Sequence, residues 1–385
     1  MSPSATIRSS FIVVIGVTLV MQQARALVSL NDGTDRIFVT GTFGVSRDSN
    51  IFASRGGAGD LVYSGGLSVD YLRKAGWIQV NAGLGVDISR FDKFNDEDFQ
   101  NPRFNAEFSK QTGRTTGAIN LTAARQSRAD PALNTRNTSW NYNASLNAKY
   151  PVIERYTIAA GVGYGMIKYL DNPAFVDLTT YSANLNLFYI LSNARDLFAG
   201  YRFRYSETSR LTSDMDHAFN LGLSGRIIPR VNGSVSVGYQ VRKPDDDRVR
   251  KSYGSTTAAA TVSYAFNKKA TLNGQLAKDF STTALDTTLD STTANLVFQY
   301  AYNAKLNFSA NVGYGRNEFL GQRGLLFGTD IGREDTSFDW GARIAYTYSQ
   351  HLALNLGYSR MRNWSNSIIG DYTRSIWSVG ASSRW

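Results

Sequence analysis

The stretch that decides the fold is Ser139–Tyr150, SWNYNASLNAKY. Trp140, Tyr142, Ala144, Leu146, Ala148 and Tyr150 share one parity; Asn141, Asn143, Ser145, Asn147 and Lys149 share the other. Side chains alternate across a strand, so this segment reads as a strand with one apolar face and one amide-and-hydroxyl face. The same script recurs in Tyr181–Tyr189, Leu197–Tyr205, Val231–Val241, Lys305–Tyr314 and Phe338–Tyr348. A soluble antiparallel sandwich also alternates, because one face meets its core. Ordinary strands average about five or six residues, and these runs reach the roughly 9–11 that a tilted strand needs to cross a bilayer. Their apolar faces also carry aromatics near the ends, as interfacial girdles require. The expected fold is all-β: a transmembrane up-and-down antiparallel barrel.

The rest of the composition agrees. The 385 residues include 34 Gly, 21 Tyr and 21 Phe, but no Cys and only 2 His. That excludes a disulfide scaffold and a Cys-based zinc or iron–sulfur site. Met1–Ser10 carries one positive charge, Arg8; FIVVIGVTLV (Phe11–Val20) is uncharged and mostly apolar; Ala24-Arg25-Ala26 supplies small residues for cleavage. Residues 1–26 therefore read as a secretory signal peptide, and 27–385 as the barrel. The apolar run is too short to span a bilayer as a helix. The chain is basic, with a formal charge of +10. No basic segment is interleaved with base-stacking aromatics, so no nucleic-acid partner is expected. Neither a cofactor nor a metal site is expected.

Turn spacing sets strand number and orientation. Short connections fall at Arg73–Gly76, Gln111–Arg114, Pro151–Arg155, Ser192–Arg195, Ile228–Arg230, Asn267–Lys269, around Asn303 and at Ser349–Gln350. Longer polar ones, including Arg47–Asp60, Ser127–Thr138, Ser206–Asp214 and Arg316–Asp335, alternate strictly with them. The count gives about eighteen strands; one hairpin more or less gives 20 or 16. Bacterial barrels have even strand numbers, short periplasmic turns and longer outer loops. Both termini are then expected in the periplasm of a Gram-negative cell. In the last segment, WSVGASSRW, Trp377, Val379, Ala381 and Trp385 share a face and the chain stops on an aromatic. This resembles the C-terminal strand signal of outer-membrane proteins, which implies the barrel-assembly machinery as a partner.

Two motifs carry a family resemblance. Arg47-Asp48-Ser49-Asn50-Ile51-Phe52 and the closing Ser378–Trp385 resemble the start and end of a family of proteobacterial outer-membrane β-barrel porins, often encoded beside exopolysaccharide genes. The resemblance implies an outer-membrane channel and supplies no substrate.

A barrel of this size leaves an aqueous channel. Parity places Arg103, Lys149, Arg202, Arg204, Arg226, Arg242, Lys305, Arg343 and Arg374 on the inner face, with Asp70, Asp87, Glu107, Asp279 and Asp339. More basic than acidic lining favours anions weakly, and Arg202 with Arg204 is the best candidate for a basic ladder. The plainer reading is that these charges brace the wall. The primary expectation is a porin-like channel for passive diffusion of small hydrophilic solutes. The alternatives are an outer-membrane component of exopolysaccharide export, with periplasmic export proteins as partners, and a structural barrel with a plugged lumen. Oligomeric state is not readable from this pattern.

Outside the lumen, Gly324–Gly328 (GLLFG) forms an apolar patch in the longest loop, either folding into the mouth or packing on neighbouring loops. Asp92, Asp96, Glu97 and Asp98, and Asp245–Asp247, lack calcium-loop spacing and read as solvated. Arg360 and Arg362 have outward parity at the outer end and would meet lipopolysaccharide phosphates or snorkel to water. Some outer-membrane barrels are hydrolases, and His217 lies between Asp214, Asp216 and the strand beyond. No nucleophile motif accompanies it, and His351 sits in a short turn, so an enzyme is not expected. Gly161–Gly165 alternates within a strand and lacks a following helix, so it is not a nucleotide loop.

Overall fold

The computed structural model describes residues 26–385 except 75, 171, 211, 246–250 and 322–331. The expected leader (save Ala26), the Gly324–Gly328 patch, Asp246 and Asp247 lie outside the described residues. A short β1 (Val28–Leu30) precedes the long strands. These begin with β2 (Asp35–Asp48), β3 (Asp60–Arg73), β4 (Gln79–Phe91), β5 (Phe99–Lys110), β6 (Thr116–Asp130) and β7 (Thr135–Ile153). They continue with β8 (Tyr156–Tyr169), β9 (Leu178–Ser192), β10 (Arg195–Thr208), β11 (Ser213–Ile228), β12 (Val231–Pro244) and β13 (Tyr253–Ala265). The last six are β14 (Ala270–Thr282), β15 (Thr288–Ala301), β16 (Leu306–Leu320), β17 (Glu334–Thr347), β18 (Leu352–Ser365) and β19 (Tyr372–Arg384).

From β2 to β19 each strand pairs antiparallel with its chain neighbours, and β19 pairs with β2 from Ile376↔Asp48 to Arg384↔Thr40. The sheet therefore closes as the expected barrel of eighteen strands, with no edge left along the seam. Val39 and Trp385 finish it by exchanging two backbone hydrogen bonds of 2.8 and 2.9 Å. The sequence reading missed β1, which pairs with Asp35–Ile37, the part of β2 that β19 does not reach. It adds a strand outside the eighteen.

The burial pattern is inverted relative to a soluble protein. Leu221 is 68% exposed and Val237 63%, whereas Arg242, Asp216 and Gln240 are at most 1% exposed. Apolar residues of one parity face outward, where hydrocarbon replaces water. Rings cluster at two levels on that face. Tyr164–Tyr181, Tyr201–Phe219, Trp340–Tyr358 and Tyr358–Trp377 pack at 4.4 to 5.5 Å between centroids near one end. Tyr156–Tyr189 and Tyr264–Phe266 pack at 5.3 and 4.5 Å near the other.

The first described strand begins, and the last ends, at the end with the eight connections such as 154–155 and 193–194. The expected strict alternation of short and long connections does not hold. At the opposite end, connections 131–134 and 209–212 are also tight, because the ladders run on to Asp130↔Thr135 and Glu207↔Ser213. Those polar segments read as loop because a strand that has left the bilayer meets water on both faces and loses its alternation.

Candidate functional site

The inner wall divides into two parts of different chemistry. The first is the arc β10–β14. Arg202 and Arg204 share the inner face of β10, as their parity requires, but neither stands free. Arg202 donates to Asp279 at 2.7 Å. Arg204 bonds Asp216 at 2.7 Å and Asp279 at 3.1 Å, and also donates to the Phe280 carbonyl at 2.7 Å. Arg242 on β12 makes a two-pronged bond to Asp216, at 2.7 and 2.8 Å, and donates to the Ser281 carbonyl at 3.1 Å.

Asp279 and Phe280 belong to β14, four strands away from β10. They come within reach because the β13–β14 ladder ends at Ala258↔Lys278, while β14–β15 pairing continues to Thr282↔Thr288. From Asp279 onward the β14–β15 hairpin leaves β13 and turns to the lumen side of β10–β12. Thr257 fills part of the split by bonding the Lys278 carbonyl at 2.9 Å. The hairpin tip is tied down by Val176 N–H to the Ala284 carbonyl, 2.8 Å, and by Thr212 to Asp286. Phe280 is buried beneath the Arg242 guanidinium, 5.4 Å away. Five adjoining strands thus curl until the first and last touch, and the outer half of this arc is filled.

The second part is the inner face of β6–β9. Asn143, Ser145 and Asn147 on β7 face Gly165, Gly163 and Gly161 on β8, which face Thr180, Ser182 and Asn184 on β9. These side chains keep part of their surface accessible. From Lys149 near the tight-turn end up to Arg128 at the rim, these inner faces carry no charge.

The remaining inward candidates scatter. Arg103 pairs with Asp87 at 3.0 Å, and Arg374 with Asp48. Asp339 accepts from Asn311 at 3.2 Å. Lys149 sits 4.9 Å from the Phe188 ring centre. Among the described residues Asp70, Glu107 and Arg343 make no ion pair. Arg226 is exposed near the tight-turn end. Lys305 is in the turn before β16, where its carbonyl accepts from Thr347 N–H, so it does not line the wall. In the last strand Trp377 and Val379 face outward, and Ala381 pairs with Leu354. Trp385 stacks on His351 at 4.0 Å, and His351 Nδ1 lies 2.7 Å from the Arg384 carbonyl.

At the rim opposite the eight tight turns, charges tie loops together. Arg136 pairs with Glu97 at 2.8 Å and donates to the Ile51 carbonyl. Arg333 pairs with Asp335 and donates to the Ala132 carbonyl at 2.9 Å. Asp98 accepts from Phe91 N–H at 2.7 Å. Arg362 pairs with Asp371 at 2.6 Å, and Arg360 is exposed. Burial works to raise the Asp60 carboxyl, but the amides of Lys93, Phe94 and Leu61 outweigh it and hold it below its ordinary value. His217 faces outward and bonds the Tyr201 hydroxyl at 2.7 Å. Asp216 points to the opposite face, so it does not orient that imidazole.

Among the solved structures similar to this chain are three with a TM-score of 0.48 each. OccK2 (OpdF) of Pseudomonas aeruginosa is 10% identical, over 91% of this chain and 97% of that one. OpdK of the same organism, solved with vanillate, is 11% identical over 91% and 99%. OccAB4 of Acinetobacter baumannii is 13% identical over 91% and 98%. No curated protein sequence gives a significant match. Residues 217–384 match the sequence model of the family described as "Putative beta-barrel porin 2". That match spans under half of the chain, and over it the sequence is similar to that family; the closed eighteen-stranded wall, apolar outside and polar within, is the architecture of a membrane-spanning β-barrel.

Proposed function

We propose that the barrel is a passive diffusion channel for small hydrophilic solutes, with both termini in the periplasm. The observation that carries this is the enclosure of the amide-and-hydroxyl face by eighteen closed strands, a number at which barrels hold water rather than a filled core. The preference for anions is slight. Arg202, Arg204 and Arg242 are spent on Asp216 and Asp279, which leaves Lys149, Arg226 and Arg343 to face Asp70, Glu107 and Asp339 as the inward candidates without ion pairs among the described residues. On this reading Arg360, exposed at the outer rim, meets lipopolysaccharide phosphates, and the face of Trp377, Val379 and Ala381 is offered to the assembly machinery.

Planar-bilayer recording tests the channel. Stable unitary steps, with a reversal potential in a salt gradient displaced slightly toward the anion value, are expected. A cation-selective value removes the anion preference, and absence of any conductance removes the channel. That last result would favour a plugged structural barrel, the reading to which the filled β10–β14 arc already lends weight.

A further inference from the structure

Five inward charges, Arg202, Arg204, Arg242, Asp216 and Asp279, are paired on one side of the barrel, in the β10–β14 clamp. The wall left in contact with water on β6–β9 is neutral. Its amides do not project toward the axis. A Cβ placed on Gly161 would come within 2.5 Å of Asn147 Oδ1 and 2.7 Å of Asn184 Nδ2, and one on Gly163 within 2.7 Å of Ser182 Oγ. The Asn and Ser side chains therefore lie flat across a glycine floor, giving a smooth surface of alternating donors and acceptors.

At its tight-turn end this surface meets two inward rings. Phe188 and Phe198 pack at 5.1 Å between centroids, tilted by 34°, and both keep accessible surface. Phe198 lies over Gly222, where a methyl group would strike its ring. Lys149 meets Phe188 at 4.9 Å and Gly222 seats Phe198, and the ring surface that stays accessible is an apolar step in an otherwise amide-lined wall.

We propose that the inner face of β6–β9, extended by Phe198 of β10, is a binding track for uncharged polyhydroxylated solutes, with Phe188 and Phe198 as the platform for the C–H face of a sugar-like ring. Neutral amides match hydroxyl groups in both donor and acceptor roles, and the one charge at this end of the track, Lys149, lies 4.9 Å from the Phe188 ring centre and is engaged with that ring. The aromatic pair supplies apolar contact that a small inorganic ion cannot use. This rests on the channel reading above and narrows it to a solute class.

The test is current block in planar bilayers with two probes of equal ring count, neutral maltohexaose and charged hexagalacturonate. If the wild-type protein does not conduct, the channel reading falls and this inference with it. Given conductance, maltohexaose should interrupt the current and hexagalacturonate should not. Phe188→Leu and Phe198→Leu keep the apolar volume but remove the flat face, and each should weaken the block on the order of tenfold, about 1.4 kcal/mol. Phe188→Tyr should retain it. Block by hexagalacturonate with none by maltohexaose, or equal block in the Leu variants, overturns the track while leaving the channel intact.

Discussion

Asp216 is the residue on which the inner charge network turns. It receives both Arg204 and Arg242, and it and Arg242 are each 1% exposed. Asp216→Ala leaves a buried guanidinium without its partner, which costs about 3–5 kcal/mol. The expected result is a clearly lower urea midpoint for the barrel in detergent. Replacing the pair together, Asp216→Leu with Arg242→Met, should recover most of the loss, because an apolar pair of similar volume has no desolvation to offset. His217→Ala should cost only about 1 kcal/mol, the worth of its bond to Tyr201. The faces of all these residues were readable from parity. Asp214, Asp216 and His217 are close in sequence, yet parity already separates His217 from its neighbouring carboxylate. What parity does not carry is the distance a wall curls. Nothing in Leu197–Tyr205 says that Arg202 and Arg204 will find their carboxylate four strands away on β14. Phe188 and Phe198 are a different case. Both break the polar parity of their strands, and two such breaks directly opposite each other were a signal available in the sequence.

Among the elements, hairpins were the readable unit and their outer ends were not. Period two holds only while one face meets lipid, so strand positions within the membrane came out correctly, while Ser127–Thr138 and Ser206–Asp214 read as loops. The same limit hid the departure of β14 from β13, which depends on a side chain, Thr257, taking the bond that a ladder partner would have taken. The outer ends also carry a pH dependence. Asp60 starts β3 at the rim opposite the tight turns and accepts from Lys93 and Phe94 at the start of the next loop. Its folded carboxyl lies below the unfolded 3.8, so its contribution is full above that value and is lost as pH falls below it through the folded value. Proteolysis of the segment between β4 and β5 should therefore accelerate on acidification through that window. Asp60→Asn should show the fast rate already at pH 7.

For the whole molecule, strand number and closure were deducible because each constraint is arithmetic: alternating faces, paired hairpins and an even total. The joining of β19 to β2 is the part that makes a barrel of the set. Removing Tyr372–Trp385 leaves β18 and β2 with unpaired edges. The expected outcome is loss of the compact, heat-modifiable form in unboiled gel electrophoresis, with the shortened chain recovered as aggregate. Val39 and Trp385, bonded to each other, stand almost the full length of the polypeptide apart. A ribosome must release nearly all of it before the earliest strand can meet its final neighbour. Until that moment the nascent polypeptide has high contact order and two unpaired strand borders, the condition in which exposed edges aggregate.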